Sequence, residues 1–304
     1  MRCLSLLFLG GCIVGFDDPG EQDVTVENLS CASGQWCQES SGLSTTLHGV
    51  WAASSTDAFA VGDGGAILRR INGAWTRMTI NTTSNLKSVW GTSSSNVWAV
   101  GQGGGVVHFD GAAWHPVSVS TTDMDAVWGS SASDLWIAGA SSVWHSTDGV
   151  AWTKTAMAGA MLSLSGTGPN DVWVTGENTY LHHFTNSKWT TVNPGAGTST
   201  YFAVLALTTT NVWTSDFMPG KETMHYGGST WTAARTGGAN FSGMFAFSAN
   251  DLWGVGATKI GRNNGSGWTV TALSGVTTSL WAVSGAGGNV WTVGDNGVIE
   301  HYTY

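Results

Sequence analysis

Charge is the first thing this 304-residue sequence has little of: 10% of its residues are Asp, Glu, Lys or Arg, against roughly 25% in an average soluble domain. Lys and Arg number 11 against 20 Asp and Glu, and no basic run occurs anywhere. That argues against a nucleic-acid partner, because affinity for a polyanion rests on clustered cations. Proline is scarce, with five residues, and past the first dozen positions no apolar stretch is long enough to cross a bilayer as a helix. There is no HExxH, GxSxG or CxxC motif, and no run of alternating aspartates that would make a calcium loop. The sequence therefore nominates no catalytic residue, no metal ligand set and no cofactor.

What is present is glycine, 43 residues, and tryptophan, 18 residues, set among Ser, Thr and Asn. Hydroxyls and amides solvate this surface in place of Lys and Glu. So much Trp, Val and Leu gives ample area to bury, which is inconsistent with a disordered chain.

The first residues, MRCLSLLFLGGC, join one Arg to a short apolar run and then Leu9-Gly10-Gly11-Cys12. In form this is a signal peptide. The small residues before Cys12 resemble the lipobox of bacterial lipoproteins, which implies cleavage after Gly11 and a lipid on the Cys12 sulfur. Cys3 would leave with the signal, so Cys31 and Cys37 remain as an even pair in an oxidising compartment. Their spacing allows a small disulfide loop; the alternative is two free thiols. Residues 12–30 are acidic, with a Pro-Gly break, and read as a tether reaching roughly 25 Å on average. The expected organisation is a signal peptide at 1–11, the tether at 12–30 and one folded domain at 31–304.

From about residue 45 the chain repeats itself. An Asp/Asn-x-aromatic pair recurs seven times: Asp57/Phe59, Asn96/Trp98, Asp134/Trp136, Asp171/Trp173, Asn211/Trp213, Asp251/Trp253 and Asn289/Trp291. The spacings are 39, 38, 37, 40, 40 and 38 residues. A second series, Trp75, Trp114, Trp152, Trp189, Trp231 and Trp268, follows each aromatic by 15 to 18 residues. The seventh unit lacks its member, since the chain stops at Tyr304. Counting back one period of 39 from Trp75 gives Trp36.

Each unit reads as four short strands between Gly, Asn and Ser turns, the pattern of a β-propeller blade. A blade's apolar faces can be covered only by neighbouring blades, so the array must close into a ring. The expectation is an all-β, seven-bladed propeller in which a strand around Trp36 completes the last blade beside His301. By this register none of the five prolines falls in an inner strand, and Pro116 sits in an outermost one, where a missing ladder donor is tolerated.

The segments VGDGGAILR, VGDNGVIEH and HSTDGVAW resemble those of WD40/YVTN/BNR-like propellers, including photosystem II assembly-factor-like proteins and sialidase-type Asp-box repeats. The resemblance covers residues 34–304 and implies the propeller fold. Ser146-Thr147-Asp148-Gly149-Val150-Ala151-Trp152 is one residue shorter than the usual Asp box, and no other blade keeps both its Ser and its Asp. A sialidase-like enzyme would also need an arginine triad, and the mature chain offers only Arg69, Arg70, Arg77, Arg235 and Arg262.

A basic residue ends each third strand: Arg69, His108, His145, His183, His225, Arg262 and His301. The residue two places earlier shares its strand face and is apolar in six of the seven, from Ile67 to Ile299. These groups therefore point into blade packing, each bonded to an anchor Asp or Asn. The glycine turns lie between strands rather than ahead of a helix, so they are hairpin turns and not phosphate cradles.

Binding is expected where the repeat breaks, on the face that carries the second-to-third-strand loops and the loops between blades. The candidates are Asp63, Gln102, Glu177, Asp216 and Asp295, with Phe217, Met218, Lys221 and Glu222 in the irregular loop SDFMPGKETM of blade 5. Trp144 and Trp281 lie outside the repeat positions and are candidate sugar-stacking rings. The expected role is non-catalytic binding or scaffolding by a monomer at the bacterial outer membrane or cell surface, with a protein or glycan partner. The alternatives are a sialidase-like enzyme, which predicts a deep axial pocket lined by several acids, a lectin, which predicts aromatic rims repeated between blades, and a structural or assembly-helper lipoprotein, which predicts a flat, polar face.

Overall fold

The computed structural model describes residues 31–177, 181–195, 200–216, 223–237 and 239–304. These form seven antiparallel sheets of four strands each. Blades 1 to 6 begin at Leu47, Leu86, Ala126, Met161, Tyr201 and Gly243, and each is built from four consecutive strands. Blade 7 takes three strands, Leu280–Ala286, Asn289–Gly294 and Ile299–Thr303, from the end of the chain. Its outer strand, Trp36–Glu39, comes from the beginning. Trp36 pairs with Tyr302 and Cys37 with His301, the neighbourhood that the period of the repeat predicts.

One cluster of three side chains recurs in every blade. The anchor aromatic and the basic residue are direct cross-strand partners, as in Trp136 and His145 or Phe59 and Arg69. The two rings stack, with centroids 3.8 Å apart for Trp136–His145 and Trp173–His183. Where Arg replaces His, the guanidinium lies over the ring instead, 5.0 Å from Phe59 and 4.9 Å from Trp253. The anchor Asp or Asn takes the remaining hydrogen bond. His108 bonds Asn96 at 2.6 Å, His145 bonds Asp134 at 2.7 Å, and Arg69 reaches Asp57 at 2.7 Å and 3.0 Å. The other four blades repeat the contact, always with the anchor of the same blade. A partly buried basic group is thus satisfied without leaving its own sheet, and the bond is charge-assisted, and so stronger, where the anchor is Asp.

Blades are joined by the second tryptophan series. In blades 2 to 6 the outer-strand Trp meets the anchor aromatic of the preceding blade edge-on: Trp114 against Phe59, Trp152 against Trp98, Trp189 against Trp136, Trp231 against Trp173, Trp268 against Trp213. Such pairs contribute about 0.5–1.5 kcal/mol beyond the area they bury. Trp36 makes this contact on Trp253, with centroids 5.7 Å apart and planes at 78°. The borrowed strand therefore supplies blade 7 with the same joint as its siblings.

The closing strand adds a polar lock. Glu39 accepts hydrogen bonds from Arg70 of blade 1 at 2.8 Å and 2.9 Å and from the Trp75 indole at 2.7 Å, and its Oε1 lies 3.0 Å from His301 Nδ1. Burial would raise its pKa, but the hydrogen bonds from His301 and Arg70 and their charges prevail and lower it to about 2. Cys31 and Cys37 are joined as a disulfide at the start of this strand, their Cα atoms 5.7 Å apart.

Glycine is obligatory at a few turns. Gly65, Gly104 and Gly297 close three equivalent turns at φ near +70°. There a Cβ would meet the carbonyl oxygen of Thr82, Ser120 or Leu43 at 2.1, 1.9 or 2.3 Å. Of the prolines, Pro116 ends the outer strand of blade 2 and Pro169 lies in a turn, while Pro219 is outside the described residues.

Trp144 corrects one expectation. It is 2% exposed in the core between blades 2 and 3, with Lys154 Nζ 5.5 Å over its ring, and it offers no face to a sugar. The residue just before the basic one faces the other side of the blade, and that side is packed too. Leu68, Val107 and Met224 fill this position in other blades, all buried.

Two outcomes follow. Trp36→Ala lowers unfolding free energy by about 3 kcal/mol, the cost of losing a packed Trp, and matches Trp152→Ala in urea denaturation; a loss under about 1 kcal/mol contradicts the joint. Glu300, buried in the third strand of blade 7, has its carboxyl raised by burial from 4.5 to about 7. Between pH 4.5 and 7 the folded state holds the extra proton, so stability falls as pH rises, by up to about 3 kcal/mol in all. Glu300→Gln removes that slope from the melting temperature measured against pH, and an unchanged slope contradicts it.

Candidate functional site

The seven inner strands surround the axis, and each lends the same three consecutive residues to a cavity of about 210 Å³. The middle residues are all small: Gly49, Ser88, Ala126, Ser163, Ala203, Gly243 and Ala282. The axis leaves no room for more, since a Cβ on Gly243 would meet Trp281 O at 2.9 Å. The third residues are Val, Leu or Met.

The first residues share nothing. In blade order they are His48, Lys87, Asp125, Leu162, Phe202, Ser242 and Trp281, all half-buried. In blades 1, 2, 4, 5 and 7 this residue falls at a register shift between the first and second strands, as between Leu47 and Gly49. A bulge of this kind leaves one residue out of the ladder and re-aims its side chain. The result is a mouth with two unlike sides: His48, Lys87 and Asp125 are polar neighbours, while Leu162, Phe202 and Trp281 are apolar.

Two of the residues predicted from the loops are brought to this mouth. Asp63 Oδ1 lies 2.8 Å from His48 Nε2, and Asp295 Oδ1 accepts from Trp281 Nε1 at 2.7 Å and from Thr46 at 3.1 Å. These bonds put the first of the three lining residues on the face with the second-to-third-strand turns, as propeller topology requires. Trp281, the other off-repeat tryptophan, is thus at the axis, 6.4 Å from the His48 ring.

The remaining candidates are dispersed. Gln102 is exposed and accepts a bond from Asn85 at 2.9 Å. Glu177 is exposed on the rim and acts on Asp125 through its charge. Asp216 is 1% exposed at the end of a strand, which removes it from any contact surface. Phe217, Met218, Lys221 and Glu222 lie outside the described residues.

Electrostatics sets the character of the mouth. Lys87 is the one cation among the residues lining the cavity; Asp63, Asp123, Asp125, Glu177 and Asp295 lie in or around it. The Asp125 carboxyl is pushed up by burial and by Asp123 and Glu177, against the pull of Lys87. His48 is held below its ordinary value by burial and Lys87, against the hydrogen bond to Asp63. Its Nε2 also sits 3.0 Å from Lys87 Nζ. One ring nitrogen cannot donate to Asp63 and accept from Lys87 at once, so the bond it makes depends on where the proton resides.

The arginines do not converge here. Arg69 and Arg262 are held by their anchors, and Arg70 by Glu39. Aromatic rings reach the mouth in blades 5 and 7 alone, not as a rim repeated between blades.

No known protein-family model matches the sequence, and no curated protein is significantly similar to it. Solved structures share its architecture. YCF48 bound to D1 peptide aligns over 90% of this chain and 99% of its own, with TM-score 0.75 and 13% identity. Virginiamycin B lyase from Staphylococcus aureus aligns over 89% and 98%, with TM-score 0.77 and 14% identity. The WD40 propeller domain of Doa1 aligns over 87% and 94%, with TM-score 0.74 and 10% identity. These likenesses establish the seven-bladed fold, which serves a peptide-bound protein and a lyase alike.

The balance around His48 is open to measurement. Replacing Lys87 by Met raises the His48 titration midpoint and replacing Asp63 by Asn lowers it, both followed by NMR of the imidazole. A midpoint unmoved by either change contradicts the arrangement.

Proposed function

We propose that this chain is a lipid-anchored envelope protein that binds a partner protein without catalysis, by seating a short segment of it over the axial mouth. The observation that carries the reading is the position just ahead of the small axial residue in each blade. Everything around it is kept nearly uniform from blade to blade, while this position holds seven different residues, His, Lys, Asp, Leu, Phe, Ser and Trp. Packing alone would favour seven similar residues there. A surface that is apolar on one side and acidic on the other suits a peptide presenting an aromatic or aliphatic side chain beside a Lys or Arg. The peptide complex of YCF48 supports this reading, since a propeller of the same architecture has a peptide bound. The anchor at Cys12 belongs to the same proposal, and residues 1–30 lie outside the described ones.

A second reading rests on His48. A largely neutral imidazole bonded to a carboxylate, with an ammonium beside it in a cavity, is also the equipment for abstracting a proton next to a carbonyl. The lyase among the structural neighbours keeps that reading in view.

The test uses residues 31–304 and two probe sets, a peptide panel pairing Trp or Leu with Lys or Arg, or with Glu, and a glycan array. The basic-apolar peptides bind, the Glu-containing ones bind at least about tenfold more weakly, and the Phe202→Ala/Trp281→Ala double variant loses the difference. Binding of glycans in place of peptides, or peptide binding indifferent to both substitutions, contradicts the proposal.

A further inference from the structure

The polar groups around the closing strand include a set that the mouth does not involve. Cys31 Sγ, Cys37 Sγ and a ring nitrogen of His301 all lie within 4.8 Å of one another, and His301 is buried. Two of these donors stand at the start of the borrowed strand and the third on the strand it pairs with, so the set exists only when the ring is closed. The Sγ of Cys31 is 3.4 Å from His301 Nδ1, about the edge of a tetrahedron built from metal–sulfur bonds of about 2.3 Å and metal–nitrogen bonds of about 2.0 Å.

The imidazole is already oriented for a ligand. Its Nε2 donates to Asn289 Oδ1 at 2.8 Å, which turns the Nδ1 edge toward the sulfurs. Carbonyl or carboxylate partners on the far nitrogen are the usual support of a metal-binding histidine. Glu39 Oε1 faces the same Nδ1 at 3.0 Å. With Nε2 donating to Asn289, this Nδ1 edge faces a carboxylate oxygen and two sulfurs, the surroundings that a metal ion would satisfy once the sulfurs are no longer bonded to each other.

We propose that reducing the Cys31–Cys37 disulfide turns the ring closure into a site for one thiophilic divalent ion of the Zn²⁺ type, held by Cys31, Cys37 and His301 with Glu39 as the neighbouring oxygen donor. In the first step a thiol or phosphine reductant delivers two electrons, the S–S bond breaks, and two protons from water complete the two thiols. In the second step the ion displaces both thiol protons and takes the lone pair of Nδ1, so the two sulfurs release one proton each for every ion bound. Disulfide and metal are mutually exclusive, because each uses both sulfurs. In oxidising surroundings the covalent bond closes the Cys31–Cys37 turn on itself; in reducing ones the metal ion ties that turn to His301 on the partner strand. This stands independently of what the axial mouth binds.

The test is a Co²⁺ titration of residues 31–304, anaerobic, before and after reduction with a phosphine. The reduced protein develops thiolate-to-cobalt charge-transfer absorption and tetrahedral d–d bands that saturate at one ion per chain and disappear when Zn²⁺ is added. The oxidised protein shows neither, Cys31→Ser abolishes the charge-transfer band, and His301→Gln weakens affinity at least about tenfold. Because His301 also packs on Trp291, its variant is paired with a second measurement: Zn²⁺ raises the melting temperature of the reduced wild-type chain and leaves that of Cys31→Ser unchanged. Reduced protein without the charge-transfer band under excess Co²⁺, a band that survives Cys31→Ser, or a melting temperature indifferent to Zn²⁺ overturns the proposal.

Discussion

The edge of an outer-strand tryptophan resting on the anchor aromatic of the blade before it is the contact on which this molecule depends. Each sheet has two apolar faces and no helix to cover either, so a blade is stable only between two others. Edge-on ring pairs join neighbour to neighbour from blade 1 to blade 7, Arg70 over Trp291 and Glu39 join blade 7 to blade 1, and a ring with one open joint would leave two faces in water. The chain resolves this by placing the last joint at its other end. Trp36 occupies the place that every other blade fills from its own fourth strand, and Glu39 then crosses into blade 1 to take Arg70 and the Trp75 indole. The strand that closes the ring also carries the Glu39 ion pairs to Arg70 and His301, while the Cys31–Cys37 disulfide fixes only the turn that leads into it. It pairs one end of the chain with the other, so contacts that cross to other strands are what offset the loop entropy of opening.

A scaffold this regular makes its departures informative. His–Trp–Asp clusters, edge-on indoles and glycine turns recur with the period of the blade, and each has a sufficient explanation in packing. The residue just ahead of the small axial one has none. The residue after it is constrained by the narrow axis and the one before it is buried, yet it varies from imidazole to indole, and in five blades a bulge presents it to the mouth. That contrast separates what builds the ring from what the ring displays. Neighbours in fold include a peptide-bound protein and a lyase, so the architecture alone does not choose between recognition and chemistry. The acidic, half-apolar mouth supports recognition, and the His48–Asp63–Lys87 contact is the feature on which a catalytic reading would rest.

Much of the fold was legible in the sequence because its determinants occur once per blade. The Asp/Asn-x-aromatic pair, the basic residue and the outer tryptophan can each be aligned by eye, and the missing seventh Trp points directly to Trp36. The pairing of basic residues with anchors was legible for the same reason, since two series with one period that are both half-buried must meet. The mouth was harder to see. Asp63 and Asp295 were accessible as loop residues, but His48, Lys87, Leu162 and Phe202 stand one place ahead of a small residue in strands that read as core. The available signal was their dissimilarity at a fixed offset from the anchor. Trp144 misled for the opposite reason. Its failure to repeat suggested exposure, whereas a strand packed on both faces accommodates a large residue in one blade and a small one in another. Gly261, the equivalent in blade 6, leaves room for Phe241. Asp216 misled because the end of a strand was taken for the start of a loop.

The central claim is that the strand at Trp36–Glu39 belongs to the folded ring as fully as the strands it closes on. Native-state hydrogen exchange of residues 31–304, read amide by amide, addresses it directly. The account predicts that the hydrogen-bonded amides of Trp36–Glu39 are protected to the same free energy as those of Ile299–Thr303 and lose protection together with them as denaturant is added. Exchange of the Trp36–Glu39 amides through a separate, low-energy opening, while Ile299–Thr303 stay protected, would contradict it.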